Sequence, residues 1–275
     1  MSGLEDLFGV GGKTALVTGG GAGIGRSIAE GLARGGARVL ICSRKGEVCE
    51  ATAAELNGMG LPGTVEGFAG DVGSEEGCAA LAEEVFARTD RLHVLVNNAG
   101  VTWGETLDDF PWRGWERVMR VNVAGLFELT RRLLPRLEAA ASDGDPARVI
   151  NLGSVMGAWP LADGTYSYSA SKAAVHHLTR ILAKELAGRR LTVNAFAPGP
   201  FPSRMTAFAT DTDAKQAAMA ATVPLGRLGT AEDLMGATLF LSSRAGAYVT
   251  GCILPLDGGI GTMTGGDLFE AGRDA

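Results

Sequence analysis

Tyr168 and Lys172 stand four residues apart in Tyr168-Ser169-Ala170-Ser171-Lys172. In a helix that spacing puts both side chains on one face. A free phenol titrates near about pH 10. An ammonium or another positive charge close by stabilises the phenolate and lowers that value. Such a pair can pass a proton to or from a substrate oxygen. Tyr166 competes for the role, but the residue four places after it is Ala170, which carries no cation. Ser154 follows the apolar run Arg148–Leu152 and can donate a hydrogen bond to a carbonyl oxygen. A bare Tyr-x-x-x-Lys occurs by chance in many chains, so its surroundings decide.

Those surroundings include a glycine-rich run, Thr18-Gly19-Gly20-Gly21-Ala22-Gly23-Ile24-Gly25, between an apolar strand pattern and a helix pattern. Glycines allow a tight turn and let the backbone approach a pyrophosphate, and the helix N-terminus adds free N–H groups. The strict GxGxxG spacing fails at Arg26, and Gly19, Gly23 and Gly25 fit GxxxGxG instead. A merely structural turn would use the same glycines. The second strand ends in Ser43-Arg44-Lys45, with no acid until Glu47. A fold preferring NAD usually has Asp or Glu here for the ribose hydroxyls, whereas a 2′-phosphate needs a hydroxyl and a cation. Ser43 and Arg44 therefore point to NADP(H), the other reading of Arg44 being a solvated loop charge. Asp71-Val72 closes the third strand, where Asp71 can hydrogen-bond an adenine ring or cap the next helix.

Seven strands are expected to position these groups: Thr14–Thr18, Arg38–Cys42, Val65–Phe68, Leu92–Asn97, Arg148–Leu152, Thr192–Ala197 and Cys252–Leu256. Helical patterns lie between them, near Ile24–Arg34, Glu47–Met59, Glu75–Arg88, Trp112–Leu137, Tyr168–Ala187 and Ala231–Ser242. Alternation of this kind implies right-handed βαβ crossovers and a doubly wound parallel sheet, an α/β Rossmann fold. The 275 residues read as one dinucleotide-binding catalytic domain, 1–275, with a substrate loop at about 199–229. Apolar residues make up 46% of the chain and aromatics 6%, as expected for a core of Val, Ile, Leu and Ala. The 41 glycines follow no linker or collagen period.

A net charge of −6 without a long basic run argues against nucleic acid. The four cysteines form no CxxC pair and no ligand spacing with the three histidines, so no metal site is expected. Buried free thiols suit a reducing, cytoplasmic location. No leader-like N-terminus and no stretch of about 18 apolar residues is seen, so no membrane span is expected.

In this context the chain resembles the short-chain dehydrogenase/reductase family over nearly its whole length. The matching pieces are Thr18–Gly25, Asp71-Val72, Asn97-Asn98-Ala99-Gly100, Asn122, Ser154, Tyr168, Lys172, Asn194, Pro198-Gly199 and Asp257-Gly258-Gly259. The resemblance implies a seven-stranded sheet of order 3-2-1-4-5-6-7 and a tetrad of Asn122, Ser154, Tyr168 and Lys172. It implies that Asn122 binds a proton-relaying water and that Lys172 also holds the nicotinamide ribose. It further implies that the Asn97–Gly100 run, with Asn98, Ala99 and Gly100, shapes the adenine-side wall, that Pro198-Gly199 abuts the nicotinamide, and that Ser203 faces its carboxamide. Asn98–Gly104, Gly199–Thr206 and Gly246–Gly251 are similar to 3-oxoacyl-carrier-protein-reductase-like members, especially a branch associated with rhamnolipid synthesis. Three departures stand out. Ala22 occupies a position that is often basic in NADPH-preferring members, leaving Arg44 to bear the 2′-phosphate largely alone. Ser203 replaces a common Thr. The Ser154–Tyr168 spacing is one residue longer than the commonest, which would reshape Trp159–Thr165.

The reading is an NADP(H)-dependent reductase of a 3-oxoacyl compound or other moderately apolar ketone, Tyr168 being the general acid. The alternatives are a dehydrogenase of a polyol, sugar or steroid alcohol, and a non-catalytic dinucleotide sensor. Trp103, Trp159, Phe201, Met205 and Phe208 are candidates for an apolar substrate wall, and His176 and His177 read as packing or surface residues. The partner expected besides the ketone or alcohol is a second copy of the chain, in a homotetramer. A carrier protein is disfavoured, because Asp143 and Asp145 are expected beside Arg189 and Arg190 at the site's mouth, where they would repel an acidic partner.

Overall fold

The computed structural model describes residues 3–203, 206 and 210–262. Its sheet has seven parallel strands: β1 (Thr14–Thr18), β2 (Arg38–Ser43), β3 (Thr64–Ala69), β4 (Val94–Asn97), β5 (Ala147–Leu152), β6 (Leu191–Pro198) and β7 (Ile253–Leu256). Their order is β3-β2-β1-β4-β5-β6-β7. The strand order reverses between β1 and β4, which pair directly through Leu16 and Leu95. At such a switch point the connections leave on opposite faces and open a crevice at the carboxyl edge of the sheet.

Alternation within the strands assigns residues to two layers of core. Leu16, Leu40, Leu95, Val149 and Val193 face α4 (Glu75–Arg88), α6 (Leu126–Ala140) and α7 (Tyr166–Leu186). Val17, Val39, Ile41, Val96 and Ile150 face α2 (Gly23–Arg34) and α3 (Gly46–Gly58). Because both faces are covered, β4, β5 and β6 are buried at every position.

Several elements depart from the expected pattern. A short α1 (Leu4–Phe8) precedes β1, and β4 starts at Val94 rather than Leu92. The single helix expected over Trp112–Leu137 is interrupted: α5 (Trp112–Met119) passes through a π-helical turn, Arg120–Gly125, into α6. A Cβ on Gly125 would collide with the backbone of Val72, so glycine lets this turn lie directly on the β3–α4 connection. The stretch Pro198–Thr230 contains a helix, α8 (Asp213–Ala220), which propensity supports through its alanines and a Thr212 N-cap that accepts from the Lys215 N–H. The last α-helix among the described residues is α9 (Ala231–Ser242). No helix among the described residues is long and apolar enough to cross a membrane.

The sheet geometry corrects the docking expectation. Asp143 and Asp145 precede β5, and Arg189 and Arg190 precede β6, so all four lie at the amino edge of the sheet, opposite the crevice. Asp145 is bound by Lys13 at 2.6 Å and by the buried Arg148, while Arg190 pairs with Asp143 and Arg189 with Glu138. These charges brace the base of the fold, and the acidic loop does not frame the chain's own cleft.

Candidate active site

The carboxyl ends of β5 and β6 and the first turn of α7 enclose a cleft of about 300 Å³ that brings together Ser154, Tyr168, Lys172, Gly100, Pro198, Gly199 and Ser203. Lys172 is buried, and its Nζ lies 5.5 Å from the centroid of the Tyr168 ring. The ammonium donates to the Leu152 carbonyl at 2.6 Å. Burial pushes this lysine down to about 8, so it can lose and regain a proton near neutral pH.

The Tyr168 phenol moves the other way. Tyr168 is half-buried as a whole, yet packing around its hydroxyl raises it above its ordinary range, and the nearby Ser154 hydroxyl opposes that shift. The expected lowering of Tyr168 is therefore not produced by the protein's own groups, because desolvation outweighs them.

Ser154 caps a 3₁₀ turn, Val155–Gly157, and its Oγ accepts from the Met156 N–H at 3.2 Å. That contact leaves the hydroxyl hydrogen free to point at Tyr168 or at a substrate oxygen. Asn122 sits in the π-helical turn with its amide fully occupied. Its Oδ1 accepts from the Val101 N–H, and its Nδ2 donates to the Val101 carbonyl and to Ser171 Oγ, all within 2.9–3.0 Å. One amide hydrogen thus holds the wall after Gly100 and the other ties the side chain to α7, so a water could meet it only at the second lone pair of Oδ1.

The cleft continues into two smaller hollows that share Gly19. One, about 260 Å³, is lined by Ser43, Arg44, Asp71, Val72, Ala99 and Gly100, and also by Arg117 and Arg120. The other, about 220 Å³, is lined by Gly21, Ala22, Ser43, Arg44 and Lys45. Gly19 has φ +68°, and a Cβ there would come within 2.8 Å of Asn98 Nδ2. Gly23 has φ +53° and opens α2 facing Ser203, beside Ile24. A trough of bare backbone ending at a helix N-terminus, with Arg44 and Lys45 at its far end, fits a dinucleotide with an extra phosphate.

Individual residues refine the expectations. Ser74, not Asp71, caps α4, and Asp71 instead accepts from the Gly73 N–H at 2.9 Å while lining the hollow. Ser43 Oγ donates to the Lys45 carbonyl at 3.0 Å, so its hydrogen must turn away from that contact to meet a phosphate. Asn98 braces the glycine turn through Thr18 and Gly19 carbonyls. Sequence reasoning missed Lys45, Arg117 and Arg120 as lining residues and Thr18 as the brace of the Asn98-Ala99 backbone.

Of the expected apolar wall, Phe201 is the one described residue that lines this cleft; it is buried against Gly229. Trp103 packs on Gly114 beneath Arg113, and Trp159 is 46% exposed, close to Gly261. Met205 and Phe208 lie outside the described residues. A larger hollow of about 430 Å³ behind Phe201, between Val223–Leu225 and Pro255–Gly259, contains neither Tyr168 nor Lys172. The chemistry therefore belongs to the smaller cleft.

A family profile described as Enoyl-(Acyl carrier protein) reductase matches residues 19–261. The chain belongs to the short-chain dehydrogenase/reductase family. Within that family it is 45% identical over 256 residues to a Rhamnolipids biosynthesis 3-oxoacyl-[acyl-carrier-protein] reductase of Pseudomonas aeruginosa, covering 93% of this chain and 99% of the relative. It is 36% identical over 260 residues to a 2-dehydro-3-deoxy-D-gluconate 5-dehydrogenase of Bacillus subtilis, covering 94% and 98%. Among short-chain dehydrogenase/reductase structures, the Pseudomonas aeruginosa RhlG/NADP active-site complex superposes with a TM-score of 0.89 at 44% identity, covering 93% of this chain and 99% of that one.

Proposed function

We propose that this enzyme reduces a 3-oxoacyl compound, or another moderately apolar ketone, to a secondary alcohol at the expense of NADPH. The observation that carries the reading is the meeting of Ser154, Tyr168 and the buried Lys172 in one cleft, with the Lys172 Nζ 5.5 Å from the Tyr168 ring centroid, at the end of a glycine-lined trough. Bound NADPH supplies the hydride. Ser154, its oxygen held by the Met156 N–H, hydrogen-bonds the substrate carbonyl. The Tyr168 phenol hydrogen-bonds the same oxygen and gives it the proton as negative charge develops there. A phenol kept protonated by burial suits a general acid. Lys172 lies in place to replace that proton and to orient the ribose, and Asn122 supports the wall from which a water could feed it. Arg44 and Lys45 hold the 2′-phosphate, Asp71 and Val72 the adenine side, and Pro198, Gly199 and Ser203 the nicotinamide end.

Phe201 offers an apolar surface to the substrate, and Ser203 and Thr206 from the described part of the expected substrate loop, about 199–229, line the same cleft. The similarity to the rhamnolipid-associated reductase supports a 3-oxoacyl substrate, while the gluconate-type relative supports a sugar-acid alternative. Because Asp143 and Asp145 lie at the opposite edge of the sheet, a carrier-bound acyl chain is as acceptable as a coenzyme A thioester. Exposed Phe127 on α6 and Ile181 on α7 support assembly into a homotetramer, and buried reduced thiols support a cytoplasmic setting. The deciding experiment follows NADPH oxidation with one 3-oxoacyl group on coenzyme A and on a carrier protein, and with keto-sugar acids. Turnover confined to the sugar acids would replace the ketone reading with the alternative.

A further inference from the structure

His176 lies on α7 one turn beyond Lys172 and is buried, at 5% exposure. Its Nε2 accepts the backbone N–H of Ser154 at 3.4 Å. The distance is long for a hydrogen bond, but the surroundings are shaped around the contact. A Cβ at Gly153 would strike the imidazole, and one at Gly157 would come within 2.8 Å of its Cε1. Glycines on both sides of the Ser154 turn thus let the ring reach the serine backbone. No other acceptor for the Ser154 N–H is found among the described residues, and a buried N–H left unpaired is costly. Nε2 can accept only in a neutral ring with its proton on Nδ1. Burial, with Arg180 and Lys172 nearby, pushes this imidazole down to about 4 and keeps it neutral. The proposed proton transfer gives His176 no role of its own.

We infer that His176 is a positioning residue: it fixes the Ser154 turn so that the serine hydroxyl stays aimed at the oxygen that Tyr168 protonates. The inference rests on the reading of Ser154 and Tyr168 as catalytic, and His176 acts through Ser154 without touching substrate. His176→Leu removes the acceptor at similar volume. It should lower kcat on the order of 10- to 100-fold, as small misplacements of reacting groups do, with KM for NADPH and ketone little changed. His176→Gln, whose amide oxygen can reach the Ser154 N–H, should recover most of the loss; His176→Asn, with a shorter reach, should not. This Gln–Asn contrast remains readable if the leucine variant does not fold, and NADPH binding by fluorescence reports folding in each case. The decisive comparison is a double-mutant cycle with Ser154→Ala. If His176 acts through Ser154, removing it from the alanine background should cost less than about twofold more, because the losses of residues acting as one unit do not multiply. Full multiplication of the two losses, or an unchanged kcat in His176→Leu beside a large loss in Ser154→Ala, overturns the inference alone. Parental kcat in Ser154→Ala overturns the reading of the site and the inference with it.

Discussion

The ammonium of Lys172 donates to the backbone carbonyl of Leu152, so the cation beneath Tyr168 is anchored to the end of β5 rather than to a carboxylate. An unpaired buried lysine is costly to keep charged, which is why burial pushes it down to about 8 from an ordinary 10.5.

That relationship sets a pH dependence of stability. Between about 8 and 10.5 the unfolded chain binds the lysine proton and the folded chain does not. Unfolding then takes up protons, so stability rises with pH across that window, and the full penalty is present below about 8. Lys172→Met should remove this rise and gain on the order of 1–2 kcal/mol at pH 7, less than the whole shift because the Leu152 carbonyl loses its donor. Urea midpoints at pH 7 and pH 10 check it: parallel behaviour of parent and variant would mean that Lys172 is charged throughout.

Tyr168→Phe keeps the ring in place and removes the acid. NADPH affinity should stay near the parental value while kcat falls by about 10²–10⁴-fold. Single-turnover reduction of a saturating ketone is the measurement, and activity within about threefold of the parent would sink the assignment of Tyr168 as the acid.

Cofactor choice should follow Arg44 and Lys45. Replacing either by alanine removes one cation from the hollow proposed to accept the 2′-phosphate and should cut the NADPH-over-NADH preference in kcat/KM on the order of 10-fold. Ser43→Asp should move the preference further towards NADH by repelling the phosphate. A parental enzyme that favours NADH would refute this reading of the β2 end.

Assembly gives an independent check. Phe127 and Ile181 are 42% and 47% exposed on α6 and α7, the helices proposed above to support assembly. Light scattering at micromolar concentration should give four times the 28.3 kDa chain mass, closed symmetry being the usual outcome of such contacts. Phe127→Lys with Ile181→Glu should shift the mass to smaller species, and a monomeric parent would overturn the proposal.

Much of the molecule is determined by the sequence alone, because its signals are local or repeat along the chain. Apolar runs such as Leu16-Val17 and Val149-Ile150 alternate with helical patterns, and a parallel sheet needs both. The Tyr168–Lys172 spacing is a property of one helix, and the Gly19–Gly25 turn announces itself by composition. Tertiary structure decided what depends on residues distant in the chain. Whether Tyr168 is raised or lowered is a contest between packing and charge that no spacing records. The π-helical turn that carries Asn122 lies on Val72, some fifty residues earlier. Asp145 became a structural brace rather than a docking charge because strand direction, not sequence distance, sets which edge of the sheet a loop occupies. His176 reads as one more histidine on a helix until the fold brings two glycines and the Ser154 backbone against its ring.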